Sequence, residues 1–328
     1  NKAAEYIANH FKQLGIKPHG LENSYYQQVS FNKTYWQETA MTVNDEEYRH
    51  LWDYVAFPSH NENLNLKNEE VIFLGYGIDD PKYSDYKGNK LEGKIIMINK
   101  GEPFNKDSIS YITGTNEPSA WSGNMRKKLK TAHSHGVKLV LIIEKDLRKF
   151  LDKNRRFLVS PSLKLGDGKI KNRQYANNIY ISSKIAKEII GTQDKKIKKW
   201  RSKLKKKGKA CDIKLKPEIE VRFKKRIDLI QGQNVCAFIE GTDKKDEVVI
   251  VSAHYDHLGK RNKDIFNGAD DNGTGTVTVL EMAEALVKAK KEGYGPRRSM
   301  LLILVTGEEK GLLGSRYYAE DPIYPIEN

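Results

Sequence analysis

No apolar run in these 328 residues approaches the ~18 that a membrane-spanning helix requires. No methionine opens the chain, and its first residues lack the pattern of a secretory leader. They read instead as a helix already under way. In NKAAEYIANHFKQLGI, Ile7, Phe11 and Leu14 fall at i, i+4 and i+7, the spacing of a core-facing stripe. The chain is therefore expected to have been trimmed. Cysteine is scarce as well. Cys211 and Cys236 form no CxxC pair of the metal-binding kind. Cys236 lies inside the apolar run NVCAFIEG and is expected to be a buried small hydrophobe. There is no internal repeat.

What the chain has in excess is positive charge, with 57 Lys and Arg against 43 acids and a formal charge of +14. The excess is local. Residues 195–209, KKIKKWRSKLKKKGK, hold ten Lys or Arg and no acid. Ile197, Trp200 and Leu204 recur there at helical spacing, which predicts an amphipathic helix with a solvated basic face. The competing reading is contact with an anionic surface or a nucleic acid. The exposed aromatics that single-strand binders use are missing beside it, so nucleic acid is not an expected partner.

Three zones follow one another. Residues 1 to about 45 give a helix and a Tyr-rich strand, SYYQQVSF. After the turn-rich FPSHNENLNLKNEE come VIFLGYGIDD, GKIIMIN, a helical NMRKKLKTAHSHG and the strand VKLVLII, which predict a small, self-contained α/β or β-rich unit. From about residue 222 the alternation is stricter. NVCAFIEG, VVIVSAHY and SMLLILVTGEE read as strands and GTVTVLEMAEALVKA as a helix. Continuous apolar strands separated by helices imply a parallel or mixed sheet covered on both faces.

Ionisable residues cluster where these strands end. One strand delivers His254 and Asp256, another delivers Glu308 and Glu309, and NGADDNGTG sets Asp270 and Asp271 just before a helix. Ligands of α/β sheets gather at the carboxyl ends of strands. A histidine and several carboxylates converging there form a donor set that zinc accepts. Asp256 is expected to hydrogen-bond the His254 imidazole and fix its tautomer. Glu308 and Glu309, being adjacent, are expected to point in different directions. His257 is expected to line the site or cap the loop, and is not counted as a ligand.

SAHYDHLG, NGADDNGTG and TGEEKGLLGS resemble, in this order, three signatures of the co-catalytic dizinc aminopeptidases, the family of bacterial leucyl aminopeptidases, glutamate carboxypeptidase II and the glutaminyl cyclases. VIFLGYGI, YSDYKG and LEGKIIMINKGEP resemble the protease-associated domain often inserted in such enzymes. Segment 36–66 apart, the two resemblances cover most of the chain. They imply an α/β fold, a three-layer α/β/α mixed-sheet peptidase domain over 1–45 and 215–328, with a β-rich protease-associated insertion over 46–214. They also imply a zinc exopeptidase, above all an aminopeptidase, acting on peptides through a water that bridges two Zn2+ ions. His254 would bind one zinc, Glu309 the other and Asp271 both. Glu308 would be the general base and Asp256 the residue that orients the histidine. Carboxypeptidase or glutaminyl cyclase activity, and a non-catalytic receptor-like or binding role, are the alternatives. A periplasmic or extracellular location is inferred from the family.

The family pattern also includes an Asp further along and a His well beyond it, whereas this sequence ends 19 residues after Glu309. With two ligands per ion, residues 1–328 alone are expected to hold zinc weakly or not at all and to hydrolyse no aminoacyl substrate. Two apparent motifs are decoys. Ser252, His254 and Asp256 are too close in sequence to build a nucleophile triad. GNKLEGKI, from Gly88, places Ile95 where a phosphate-binding loop needs a hydroxyl. His133 and His135, two apart on a helix, are expected at its surface or cap.

Overall fold

The structure is a computed structural model and describes residues 2–68, 70–159, 161–166, 174–211, 213–261 and 263–324. The chain divides into two compact units. The first comprises Asn1–Lys33, Leu163–Lys169 and Asp228–Asn328, and the second Thr34–Ser162 and Ile170–Ile227. The boundaries at 33/34 and 227/228 fall inside two long strands, Tyr26–Val43 and Ile219–Ile239. The chain also returns to the first unit at 163–169, a stretch the sequence placed within the insertion. Leu163 and Leu165 alternate on a short strand, Ser162–Leu165, and pack on Val29, Phe31 and Leu313.

The first unit is built around the strand Arg298–Val305. Its run MLLILV has no polar position, because both faces are covered. Leu302 and Leu304 face a cluster with Ile7 and Phe11 of the helix Lys2–Gln13 and with Val279, Leu280 and Ala283 of the helix Thr274–Lys291. Leu301, Ile303 and Val305 face Cys236 and Tyr318, the latter from the helix Leu313–Glu320. This is the expected layering of helix, mixed sheet and helix. Val235–Ile239 runs antiparallel to the central strand, and Lys244–His254 runs parallel to it with His254 opposite Val305. Lys244–His254 is the last strand in the sheet order, and there Ile250 is 51% exposed. Coverage of that edge strand is thus less complete than its apolar run predicts. Cys236 is fully buried, and burial pushes its thiol up to about 12.

The second unit has a six-stranded sheet in which Val71–Phe73, Ile95–Asn99, Leu139–Glu144 and Asn177–Ser182 run parallel. Ile213–Leu215 and Tyr54–Val55 close its two edges in the antiparallel sense. Ile95–Asn99 follows the GNKLEGK stretch where a phosphate-binding loop would start a helix, so the decoy reading holds. The basic segment is a helix, Asp194–Lys207, with Ile197, Trp200 and Leu204 buried and its lysines outward. His135 caps the helix Met125–Ser134, stacks on Tyr86 and lies 2.9 Å from Asp79. Among the described residues no helix is long and apolar enough to cross a membrane.

Candidate metal centre

Two parallel neighbours end side by side at His254 and Val305, so whatever follows them shares one edge of the sheet. After Val305 the chain turns through Gly307, whose φ of +71° lies in the left-handed region that glycine enters without penalty. It then forms the short turn Glu308–Lys310. Asn234, fully buried, holds this loop. Its Oδ1 accepts from Thr306 N–H at 3.1 Å, and its Nδ2 donates to Gly314 O and to Gln27 Oε1, each at 2.9 Å. Asn234 was not singled out in the sequence, where it appears as one polar residue opening an apolar strand.

The His254 ring is nearly enclosed, at 10% side-chain exposure. Its Nδ1 lies 2.9 Å from the backbone oxygen of Asp256. A carbonyl only accepts, so Nδ1 carries a proton, and Nε2 is the nitrogen that faces Asp271. The tautomer is therefore fixed by the main chain of Asp256. Its carboxylate stands 3.9 Å from Nδ1 and accepts the Glu308 backbone N–H at 3.1 Å, which corrects the role expected for that side chain. Thr276, one turn into the following helix, donates its hydroxyl to His254 O and ties that helix to the strand end.

His254 Nε2 lies 3.0 Å from Asp271 Oδ1 and 3.6 Å from Glu308 Oε2. Glu309 turns the other way, with Oε1 2.6 Å from Nδ1 of His257. The adjacent glutamates thus diverge, as expected. Glu308 is the more open, at 30% side-chain exposure against 13% for Glu309. Asp271 stands between the two histidines, because ligand atoms of His257, Asp271 and Glu309 all lie within 4.8 Å of one another. Asp270 is exposed. His257 is the member of the cluster that the sequence reading left out. Its place three residues after His254 was the available signal.

This donor set fits zinc on its chemistry. His254 Nε2 and Asp271 Oδ1 are an imidazole nitrogen and a carboxylate oxygen, two donor types that zinc accepts. His257 Nδ1 and Glu309 Oε1 are shielded from solvent and have no hydrogen-bond partner, an expensive state for two buried polar atoms unless an ion satisfies both. A cavity of about 190 Å³, lined in part by Asp256, His257, Gly268 and Asn272, adjoins the His257 side of the cluster.

Residues 234–328 match the model of Peptidase family M28. That segment carries all the residues of the cluster, and its match to the family model agrees with the resemblance of the three motifs. Similar proteins include a probable leucine aminopeptidase of Arthroderma otae, 40% identical over 85 residues, which cover 25% of this chain and 23% of that protein. A probable glutamate carboxypeptidase of Arabidopsis thaliana is 36% identical over 89 residues, covering 27% of this chain and 12% of its own length. A probable zinc metalloprotease of Leptosphaeria maculans is 34% identical over 96 residues, covering 27% of this chain and 20% of its own. Among solved structures, an aminopeptidase from Aneurinibacillus sp. strain AM-1 has the same fold. It aligns with 99% of this chain and 61% of its own at a TM-score of 0.51 and 18% identity. The chain thus spans less than a quarter of these curated relatives and about three-fifths of the solved one.

Proposed function

We propose that the protein is a zinc-dependent metallo-exopeptidase that removes N-terminal residues from peptides. The observation that supports this most is the meeting of His254 Nε2, Asp271 and the diverging pair Glu308 and Glu309 at the ends of two parallel strands. In this reading His254 and Asp271 hold one zinc, and Asp271 and Glu309 a second. When bound, the pair supplies Lewis-acid activation of a water and polarisation of the scissile carbonyl. Glu308, open to solvent and not needed as a ligand, takes the proton from the attacking water on a carboxylate oxygen and delivers it to the leaving amine. Asp256 acts through the backbone, setting the His254 tautomer with its carbonyl and anchoring Glu308 N–H with its carboxylate.

The second unit, Thr34–Ser162 and Ile170–Ile227, is read as the protease-associated insertion, on the resemblance of VIFLGYGI and YSDYKG. Turnover is proposed of the whole protein, in a periplasmic or extracellular setting. The test is hydrolysis of aminoacyl-p-nitroanilides by the zinc-loaded protein. Activity should be lost on chelation, return with zinc and fall in Glu308→Gln. Zinc-independent hydrolysis, or cleavage only at peptide C-termini, would overturn the reading.

A further inference from the structure

We infer that His257 is itself a metal ligand, giving Nδ1 to the ion shared by Asp271 and Glu309. The inference rests on the metallopeptidase reading of this site and adds a residue to it. Three observations carry it. Nδ1 lies 2.6 Å from Glu309 Oε1, yet neither atom takes part in a hydrogen bond and both are shielded from solvent. Second, these two residues and Asp271 offer ligand atoms within 4.8 Å of one another. Zinc bonds to imidazole nitrogen and carboxylate oxygen at about 2.0–2.2 Å, which sets tetrahedral ligand atoms roughly 3.4 Å apart, so His257 and Glu309 would part slightly and Asp271 would draw in to share one ion. Third, the ring is held in place. A Cβ on Gly268, whose φ is +67°, would stand 2.5 Å from His257 Cγ, so only glycine lets the loop close over the imidazole.

The result is a near-symmetric pair of half-sites around Asp271. His254 and Glu308 lie on one side of it, His257 and Glu309 on the other. The ion on the second side then has three protein ligands from this chain in place of two. That is the number a catalytic zinc site keeps while leaving a position open.

The experiment uses the 328-residue chain and reads metal, not turnover. Zinc is added to the unmodified chain, His254→Ala, His257→Gln and the double variant, with affinity from competition against a chelator and imidazole coordination from X-ray absorption. His254→Ala should keep one zinc whose spectrum still shows imidazole scattering. His257→Gln should weaken one of the two ions by at least about 100-fold, beyond the 10–100-fold typical of an outer-sphere partner. Circular dichroism separates that loss from misfolding, and the imidazole count on the unmodified chain needs no variant. Unchanged affinity in His257→Gln, or one imidazole for two zincs in the unmodified chain, would overturn the inference and leave the metallopeptidase reading standing. So would a His254→Ala chain that binds no zinc while the unmodified chain does. If the unmodified chain takes up no zinc, the inference falls, while the metallopeptidase reading is decided by the hydrolysis test.

Discussion

His254 Nε2 and Asp271 Oδ1 stand 3.0 Å apart, one at the end of a strand and the other in the turn before a helix, with the opposite face of the same imidazole bonded to a backbone carbonyl. In the proposed site, a ring oriented by this carbonyl and set against a carboxylate is arranged to serve as a ligand. Both acids of the turn are exposed, and Asp271 is the one whose carboxylate reaches the ring. Asp271→Ala should therefore remove zinc from both positions, whereas Asp270→Ala should leave zinc content unchanged. Metal analysis after dialysis distinguishes them. Equal losses would show that the turn, and not the Asp271 carboxylate, matters.

The two glutamates should separate by what they lose. Glu309→Gln should lower zinc content, because its carboxylate faces His257 in the enclosed part of the site. Glu308→Gln should keep zinc while turnover by the whole protein falls at least about 100-fold, the scale of general acid–base catalysis. Zinc lost in proportion to activity in Glu308→Gln would mean that the roles are exchanged.

Gly314 tests how the glutamate loop is held. It lies in a helix, where alanine ordinarily stabilises. Here a Cβ would meet Thr306 O at 2.2 Å and Asn234 Oδ1 at 2.6 Å. Gly314→Ala should thus destabilise the first unit by about 1–3 kcal/mol. Asn234→Leu, which strands several buried polar groups, should cost about 3 kcal/mol or more. Hydrogen exchange in Arg298–Val305 reports both. A stabilised Gly314→Ala would show that the loop moves aside freely.

A pH-dependent contribution is expected in the second unit. Asp85 is fully buried, and burial pushes its carboxyl from 3.8 up to about 6 despite hydrogen bonds from Tyr83 OH and the Tyr76 and Ile78 amides and the charge of Lys128. Between those values the folded state keeps a proton that the unfolded chain has released. The stability due to Asp85 is therefore full below about pH 4, falls as pH rises to about 6 and is level above, a change of roughly 3 kcal/mol. Asn at 85 accepts the same two amides and donates to Tyr83, so Asp85→Asn should fold and lack this slope. Trp36, Trp52, Trp121 and Trp200, all the tryptophans of the chain, lie in this unit, so urea unfolding followed by their fluorescence isolates it. Identical pH profiles for the two proteins would remove Asp85 as the source.

Much of this was legible because burial leaves a pattern. The MLLILV run, the Ile7 and Phe11 stripe and the buried face of Ile197, Trp200 and Leu204 all lie where periodicity put them. The motifs likewise named His254, Asp271 and the glutamate pair, since strand ends order such residues along one edge. Tertiary effects were not legible. Tyr26–Val43 extends through half-exposed positions where alternation fades, and Leu64–Asn68 forms a strand in a stretch rich in turn residues. Asp256 was read through its side chain, while its carbonyl does the orienting. His257 enters the cluster only because Gly268 allows the loop to close.

Isothermal titration of zinc into the 328-residue chain at neutral pH, with Asp271→Ala beside it, tests the shared-carboxylate site most directly. With His257 as a third ligand, in place of the two per ion that the sequence led us to expect, the expected result is saturable zinc binding by the unmodified chain and none by Asp271→Ala. Absence of binding to the unmodified chain, or binding that survives Asp271→Ala intact, would contradict a zinc site built on His254, His257, Asp271 and Glu309.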